Sequence, residues 1–438
     1  MAVETKSMPA AGAAALVAVD MGYGHLRAAQ ALADVLGTKV LELDRPPLAS
    51  RAEHRRWRWV RAGYELISRG SQLPYVGRPL RGVLDMITFI PEIYLARNQS
   101  KPTLAVRTLE ALARRGLGKA MMDFLRRGNA TLVTTFYAPA VIADYHGYPR
   151  VVCVVTDTDI NRAWVSRHPV HTAVHYCVPS ERVLGRLRAF GVPASLIHLT
   201  GFPLPPELLG GPDLLELKRN LARRLVRLDP NGVFREQSRG ELDHFLGPLP
   251  QGESGRPPLL TFAVGGAGAQ LAIARQFIPS LGRPLEQGRI RLAISTGVRR
   301  EAAERVERWV EEAGLHSLLG SAVTILWGAD FGEYYRRFNN LLSETDILWT
   351  KPSEMTFYGA LGIPLVFSRP VGAHERANRR WALHRGAGFK QESPRLAWEW
   401  LREWLNEGTL AGAAWSGYVR LPKFGTYRIA EVVTQVET

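Results

Sequence analysis

Cysteine is nearly absent: Cys153 and Cys177 are the only two in 438 residues. Two thiols cannot build a disulfide framework, and both sit in apolar runs, where a buried free thiol is expected. Long hydrophobic runs are missing too. No stretch approaches the ~20 apolar residues that span a bilayer, which excludes a polytopic membrane protein. The N-terminus lacks the charged-then-apolar pattern of a secretory leader, so the expected location is the cytoplasm. There is no repeat of solenoid length and no low-complexity tract. No helix-turn-helix, zinc or RNA-binding signature occurs, so nucleic acid is not an expected partner. Lysine is scarce, supplying 8 of the 56 basic residues.

What is present is arginine. Against 41 acidic residues the basic ones leave a formal charge of +15, an excess that favours an anionic surface or ligand. Apolar residues make up 46%, enough for packed cores and too many for a disordered chain. The length suits two to four domains at ~100–200 residues each.

Residues 13–20 form an apolar run, 21–25 a Gly-containing turn, 26–36 carry Ala and Leu at helical spacing, and 39–43 make a short strand. That is the βαβ opening of a doubly wound parallel sheet. Residues 51–100 differ: Arg55, Arg56, Arg58 and Arg61 interleave with Trp57 and Trp59, and an apolar stretch follows. Strand patterns return at 131–135, 151–156, 173–178 and 197–200, with helix over 180–190. The Pro-rich run 201–206 suits a domain junction. Residues 207–256 are charged and amphipathic, with helix at 214–228. A second α/β set follows, with strands at 259–264, 291–295, 323–326, 346–349 and 364–367, helices at 269–281 and 299–313, and a last helix near 426–436.

The expected class is α/β, with two Rossmann-like domains facing across a cleft. The expected division is 1–204 with the basic, aromatic insertion 51–100, a hinge and helical linker-insertion over 205–257, a second domain over 258–415, and a helix in 416–438 that crosses back to the first domain.

Four stretches carry chemistry. Gly22-Tyr23-Gly24-His25 follows the first strand, and the glycines let backbone approach a ligand as a helix begins. It is not a dinucleotide fingerprint, because Arg27 stands where a third Gly would be. An imidazole at such a helix start can take a proton from an attacking hydroxyl; the competing role for His25 is capping or packing. Thr156-Asp157-Thr158-Asp159 ends a strand with two carboxylates, and a polar role at a cleft rim is preferred to a Mg or Mn site. Gly265-Gly266-Ala267-Gly268-Ala269-Gln270 exposes backbone N–H groups at a helix start, an arrangement that favours a diphosphate. Thr350-Lys351-Pro352-Ser353-Glu354-Met355-Thr356 follows a strand. Some 25 residues later His374-Glu375-Arg376-Ala377-Asn378 brings polar side chains able to read polyol hydroxyls.

On these residues the chain resembles the inverting GT-B glycosyltransferases that include diacylglycerol glycosyltransferases and the peptidoglycan N-acetylglucosaminyltransferase. Gly22 to Ala29 resembles the family's Gly-rich turn with its His. Val155-Thr156-Asp157, Trp164, Tyr176 to Glu181, Gly191-Val192-Pro193 and Thr200 to Pro203 resemble the diacylglycerol branch. Residues 259–268 resemble the glycine turn of the second lobe, and 350–378 its donor loop. In one respect the chain departs: the family's ribose-binding Glu, three residues past the Thr, is Gly359 here, while Glu354 stands where small residues are usual.

The resemblance implies a nucleotide diphosphate sugar donor, UDP-linked, with no obligatory metal and no cofactor. It implies His25 as general base, with Asp157 as its orienter or alternative. Gly22, Tyr23, Gly24 and Trp164 would meet the acceptor. Gly265, Gly266, Gly268, Gln270, Gly297, Trp327, Phe331, Lys351, Ser353, Glu354, Met355, Thr356, Glu375 and Asn378 would meet the donor. The Arg and Trp residues of 55–61 would draw the protein to an anionic membrane and a lipid acceptor, peripheral on the inner face of the cell membrane. The rivals are a same-fold soluble enzyme (an epimerase or a soluble-acceptor transferase) and a catalytically silent nucleotide-sugar-binding protein.

Overall fold

In the computed structural model, residues 14–19, 22–57, 90, 100–250, 255–265 and 270–437 are described. Arg58, Trp59, Arg61, Gly266 and Gly268 lie outside them, as does most of 51–100. The chain forms two compact units. The first comprises residues 1–204, 372–374 and 424–438, and the second 205–371 and 375–423. Residues 205–257 therefore lie in the second unit.

The first unit contains a six-stranded parallel sheet: β1 (Ala14–Ala18), β2 (Leu41–Glu42), β3 (Thr131–Thr134), β4 (Val151–Val154), β5 (Val174–Val178) and β6 (Ile197–Leu199), in the order β2-β1-β3-β4-β5-β6. β1, β3 and β4 are buried from end to end. Parallel strands covered on both faces read as continuous apolar runs, which is why the sequence marks them well. Helix Glu181–Phe190 starts at Ser180, whose hydroxyl accepts from the Val183 N–H, and ends at Gly191 in the left-handed region. Its Arg186, wholly buried, donates from Nε to Asp159 at 2.8 Å, and Arg182 engages the other oxygen of that carboxylate. Asp159 is thus spent on two arginines, an anchor between a strand end and a helix. Helix Gly425–Glu437 belongs to this unit as well. Thr426 donates to the Leu204 carbonyl at 2.6 Å, and a Cβ on Gly425 would stand 2.1 Å from the Phe202 carbonyl oxygen.

The second unit repeats the plan: β7 (Leu259–Ala263), β8 (Arg291–Gly297), β9 (Val323–Trp327), β10 (Ile347–Thr350), β11 (Leu365–Phe367) and β12 (Gly388–Lys390), all parallel, in the order β12-β11-β10-β7-β8-β9. These are the two Rossmann-like domains expected of the chain. Strand β12 and the helices Ala397–Asn406 and Thr409–Arg420 go beyond the sequence reading. Helix Leu215–Leu228 is built into this unit by charge. Fully buried Arg224 donates to the carbonyls of Thr345, Leu361 and Gly362 at 2.8–3.1 Å. Burial lowers its pKa to about 10, with Asp346 opposing. Buried Asp346 accepts from Arg227 at 2.7 Å, Arg256 at 2.7 Å and the Leu259 N–H at 2.8 Å.

Among the described residues no helix is long and apolar enough to cross a membrane. Trp57 corrects one expectation. It is 7% exposed and packs in the apolar core of the first unit, so it cannot reach a membrane interface. Arg55 and Arg56 are exposed.

Removing the Asp159 carboxylate strands a buried guanidinium. Breaking such a pair costs about 3–5 kcal/mol, so Asp159→Ala should lower the urea midpoint accordingly. The double variant Asp159→Ala/Arg186→Met should recover part of the loss. A second expectation concerns Lys423, which donates to the Tyr418 and Leu421 carbonyls and which burial lowers to about 8. The unfolded chain, with lysine at 10.5, holds that proton more tightly. Stability should therefore rise with pH from about 8 to 10.5, and Lys423→Met should remove that part of the rise in thermal melts.

Candidate functional site

Each sheet reverses its winding once. In the first, the chain leaves β1 toward β2 and then returns to place β3 on the other side of β1. In the second, β8 and β9 are laid to one side of β7, then β10 to the other. Crossovers that leave adjacent strands in opposite directions open a crevice beyond the strands' carboxyl ends, where ligands of open α/β sheets bind. The crevices lie between β1 and β3 and between β7 and β10. The expected site residues stand at both.

In the first unit His25 occupies the opening turn of helix Tyr23–Val35, directly after β1. Gly22 precedes that helix with φ 131°, a conformation that favours glycine. The His25 Nδ1 lies 2.7 Å from the Thr135 carbonyl oxygen, just past β3, and 3.2 Å from the Thr156 hydroxyl, just past β4. Thr135 donates its own hydroxyl to the His25 carbonyl at 2.8 Å. A carbonyl only accepts, so Nδ1 carries the proton, and in the neutral ring Nε2 bears the lone pair. The Phe136 ring meets the imidazole edge-on at 4.8 Å, and the Trp164 ring lies 6.5 Å away. The geometry gives a tautomer-fixed imidazole against an aromatic wall. Asp157 follows Thr156 at the same strand end and is half-buried. Tyr23 is buried, with the Arg27 guanidinium 5.5 Å from its ring.

In the second unit Gly265 follows β7 and Lys351 follows β10. A Cβ on Gly265 would stand 2.6 Å from Lys351 Cε, so the glycine makes room for the lysine across the crevice. Lys351 Nζ is 3.0 Å from Glu375 Oε1, and Glu375 Oε2 accepts from the Val371 N–H at 2.7 Å. Asn378, one turn beyond Glu375 on helix Ala373–His384, donates to the Pro352 carbonyl at 3.2 Å. Gln270 donates to the Arg369 carbonyl at 2.7 Å and accepts from the Ser368 hydroxyl. Lys351, Glu375, Asn378, Gln270 and Gly265 are thus gathered around the ends of β7, β10 and β11. The hydroxyls of Ser353 and Thr356 are buried and have no partner among the described residues. Buried polar atoms are as a rule hydrogen-bonded; Thr356 is wholly inaccessible and Ser353 is 8% exposed.

Other expected donor residues fall elsewhere on the same edge. Gly297 closes β8 at a bulge with φ 75°, beside Trp327 at the end of β9. Phe331 opens helix Phe331–Glu344, which Asp330 caps by accepting from the Glu333 N–H at 2.8 Å. Met355 is wholly interior, with its sulfur accepting from the Thr350 hydroxyl at 3.5 Å. Glu354 is buried at the start of the 3-10 helix Glu354–Leu361. Gly359, where the resembled family carries a Glu, faces Leu421, Ala387 and Leu365; a Cβ there would already lie 2.9 Å from Leu421. A carboxylate at that position would be forced into apolar packing.

Thr135 and Ser368 were missed from the sequence. Neither belongs to a recognisable motif. Only the strand order, which sets β3 beside β1 and β11 beside β10, brings them to the crevices.

A family model described as a domain of unknown function (DUF6938) matches residues 303–391. No curated protein matches the chain. Among solved structures the chain is similar to an S. aureus MnaA–UDP co-structure at 12% identity and TM-score 0.48, covering 96% of this chain and 95% of that one. It is similar to MurG of Acinetobacter baumannii at 15% identity and TM-score 0.49, covering 96% and 98%. It is also similar to UDP-GlcNAc 2-epimerase from Neisseria meningitidis bound to UDP-GlcNAc, at 12% and 0.48, covering 97% and 100%.

The second crevice sets the Lys351–Glu375 ion pair over Gly265, near the buried hydroxyls of Ser353 and Thr356. A larger side chain at Gly265 must push Lys351 aside but meets only its flexible end. Gly265→Val should therefore keep the wild-type melting temperature in a thermal melt.

Proposed function

We propose that the chain is a metal-independent GT-B glycosyltransferase that moves a sugar from a UDP-sugar to a hydroxyl acceptor with inversion. The acceptor in this reading is a membrane lipid such as diacylglycerol. The observation that carries the proposal is that the polar motifs of each unit converge on its switch-point crevice. His25 does so with its Nδ1 proton committed to a carbonyl, and Lys351 does so over Gly265.

In this reading the first unit holds the acceptor beside Gly22, Tyr23, Gly24 and Trp164. Nε2 of His25 takes the hydroxyl proton as the oxygen attacks the anomeric carbon, and the bond to the diphosphate breaks on the opposite face. One displacement gives inversion. Asp157, at the neighbouring strand end, is the alternative base. In the second unit Lys351 and the helix start after Gly265 stabilise the departing diphosphate, as fixed charges and dipoles do where charge develops. Glu375, Asn378 and Glu354 address sugar hydroxyls, and Glu354 supplies the carboxylate that position 359 cannot accommodate. The lipid acceptor rests on the basic run Arg55, Arg56, Arg58 and Arg61, without Trp57. The setting is the inner face of the cell membrane, with anionic headgroups as partner.

General-base assistance is typically worth 10²–10⁴-fold. His25→Ala should lower turnover by that order while UDP-sugar affinity, a property of the second unit, stays within about twofold. A folded variant with the wild-type rate would take His25 out of the mechanism and leave Asp157 as the base.

A further inference from the structure

The second unit carries a cavity of about 900 Å³ that none of the residues discussed as donor ligands lines. It opens at the other edge of the sheet, beside Pro257 and Pro258 before β7 and Gly288 and Arg289 before β8. Five arginines from separate segments line it: Arg227, Arg235, Arg256, Arg289 and Arg402. Helix Ala397–Asn406 adds Trp398, half-buried, and the apolar Leu405.

This basic lining is held in place. Arg227 and Arg256 share Asp346, both at 2.7 Å. Arg235 is fixed by the buried Asp229, through Nε at 3.3 Å to the carboxylate and Nη2 at 2.8 Å to the main-chain carbonyl. Arg402 pairs with Glu399 at 2.9 Å on its own helix. Arg289 is exposed and makes no ion pair among the described residues. Five guanidinium groups therefore face three contacting carboxylates, and the excess is positive. Each guanidinium carries five N–H donors in a fixed fork, so the anchored ones retain donors for a second acceptor. A neighbouring hollow, lined by Glu399, Glu403 and Glu407, is net acidic and shares Arg402 and Asn406 with this cavity.

We propose that this cavity is a second ligand site, for a nucleotide or an organic phosphate of similar size. Its volume lies within the ~300–1,000 Å³ usual for small-molecule sites. The arginines suit phosphate oxygens, and the indole of Trp398 offers a face on which a base can stack. The concave shape fits a small molecule better than a flat lipid surface. Asp346, which organises two of the arginines, stands just before β10, and Lys351 just after it, so one four-residue strand joins this site to the crevice described above. The inference does not depend on the transferase reading.

Calorimetry on the full chain tests it, with ADP and inorganic pyrophosphate as probes at low salt. The Lys351→Ala background removes the cation of the crevice between β7 and β10. In that background ADP binding should persist. The added pair Arg289→Gln/Arg402→Gln should weaken it at least about tenfold, and raised salt should weaken it too. Both arginines are exposed, so the melting temperature should hold; should the pair fail to fold, Arg289→Gln alone replaces it. Trp398→Leu should weaken ADP about fivefold or more and leave pyrophosphate unchanged. Absence of ADP binding in Lys351→Ala, or binding indifferent to the arginine changes, would overturn the second site without touching the transferase proposal. An equal effect of Trp398→Leu on both probes would overturn the nucleotide assignment.

Discussion

Parallel strands cannot be joined by a tight turn; every connection must cross back over the sheet, and those crossovers share one hand. A sheet that starts in its middle therefore reverses direction once. This chain does so in both units, at β1 and at β7. Both switch-point crevices hang on that constraint. The reversal leaves one gap between crossovers at the carboxyl edge of each sheet, and the first turn after the starting strand always faces it. His25 and Gly265 occupy those two turns. Their partners come from the strand on the far side of the gap: the Thr135 carbonyl after β3 and Lys351 after β10.

The arginine excess has a second meaning in the folded chain. Arg186, Arg224 and Arg227 are not surface charges. Arg186 and Arg224 are buried and Arg227 is largely so, and they bind carboxylates or main-chain carbonyls. Arg162 is another, donating to the carbonyls of Ser100 and Ser166 at 2.8–3.3 Å. A planar guanidinium can satisfy several acceptors at once, which an ammonium on a flexible stem does less well. Part of the basic composition is thus architecture, joining helices to strand ends. Other arginines stay exposed, Arg55, Arg56, Arg114 and Arg127 among them.

Legibility followed burial. Strands β1, β3, β4, β7 and β10 are covered on both faces, and their unbroken apolar runs show in the sequence. Short β12 was not visible, because three residues at a sheet edge leave little pattern. Lys351 was legible because a polar residue directly after a buried strand stands out, and Glu375 and Asn378 because polar residues cluster where a loop enters a helix. Trp57 misled. Beside arginines it reads as an interface residue, yet an indole is also a large apolar body, and the first unit's core took it. The absence of the family's ribose carboxylate was readable; its reason, the packing of Gly359 against Leu421, was not.

The amino-acid sequence by itself determined the α/β class, the two Rossmann-like sets and the turns that carry His25, Gly265 and Lys351, because apolar periodicity and glycine placement act over a few residues. The tertiary structure alone decided strand order, and with it which distant atoms meet. It set the proton on Nδ1 of His25 by placing a carbonyl 110 residues away within 2.7 Å. It joined Lys351 to Glu375, fixed Asp159 and Asp346 as anchors rather than ligands, and gathered five arginines around one cavity. Those outcomes depend on backbone geometry between segments far apart in the chain, which no local pattern encodes.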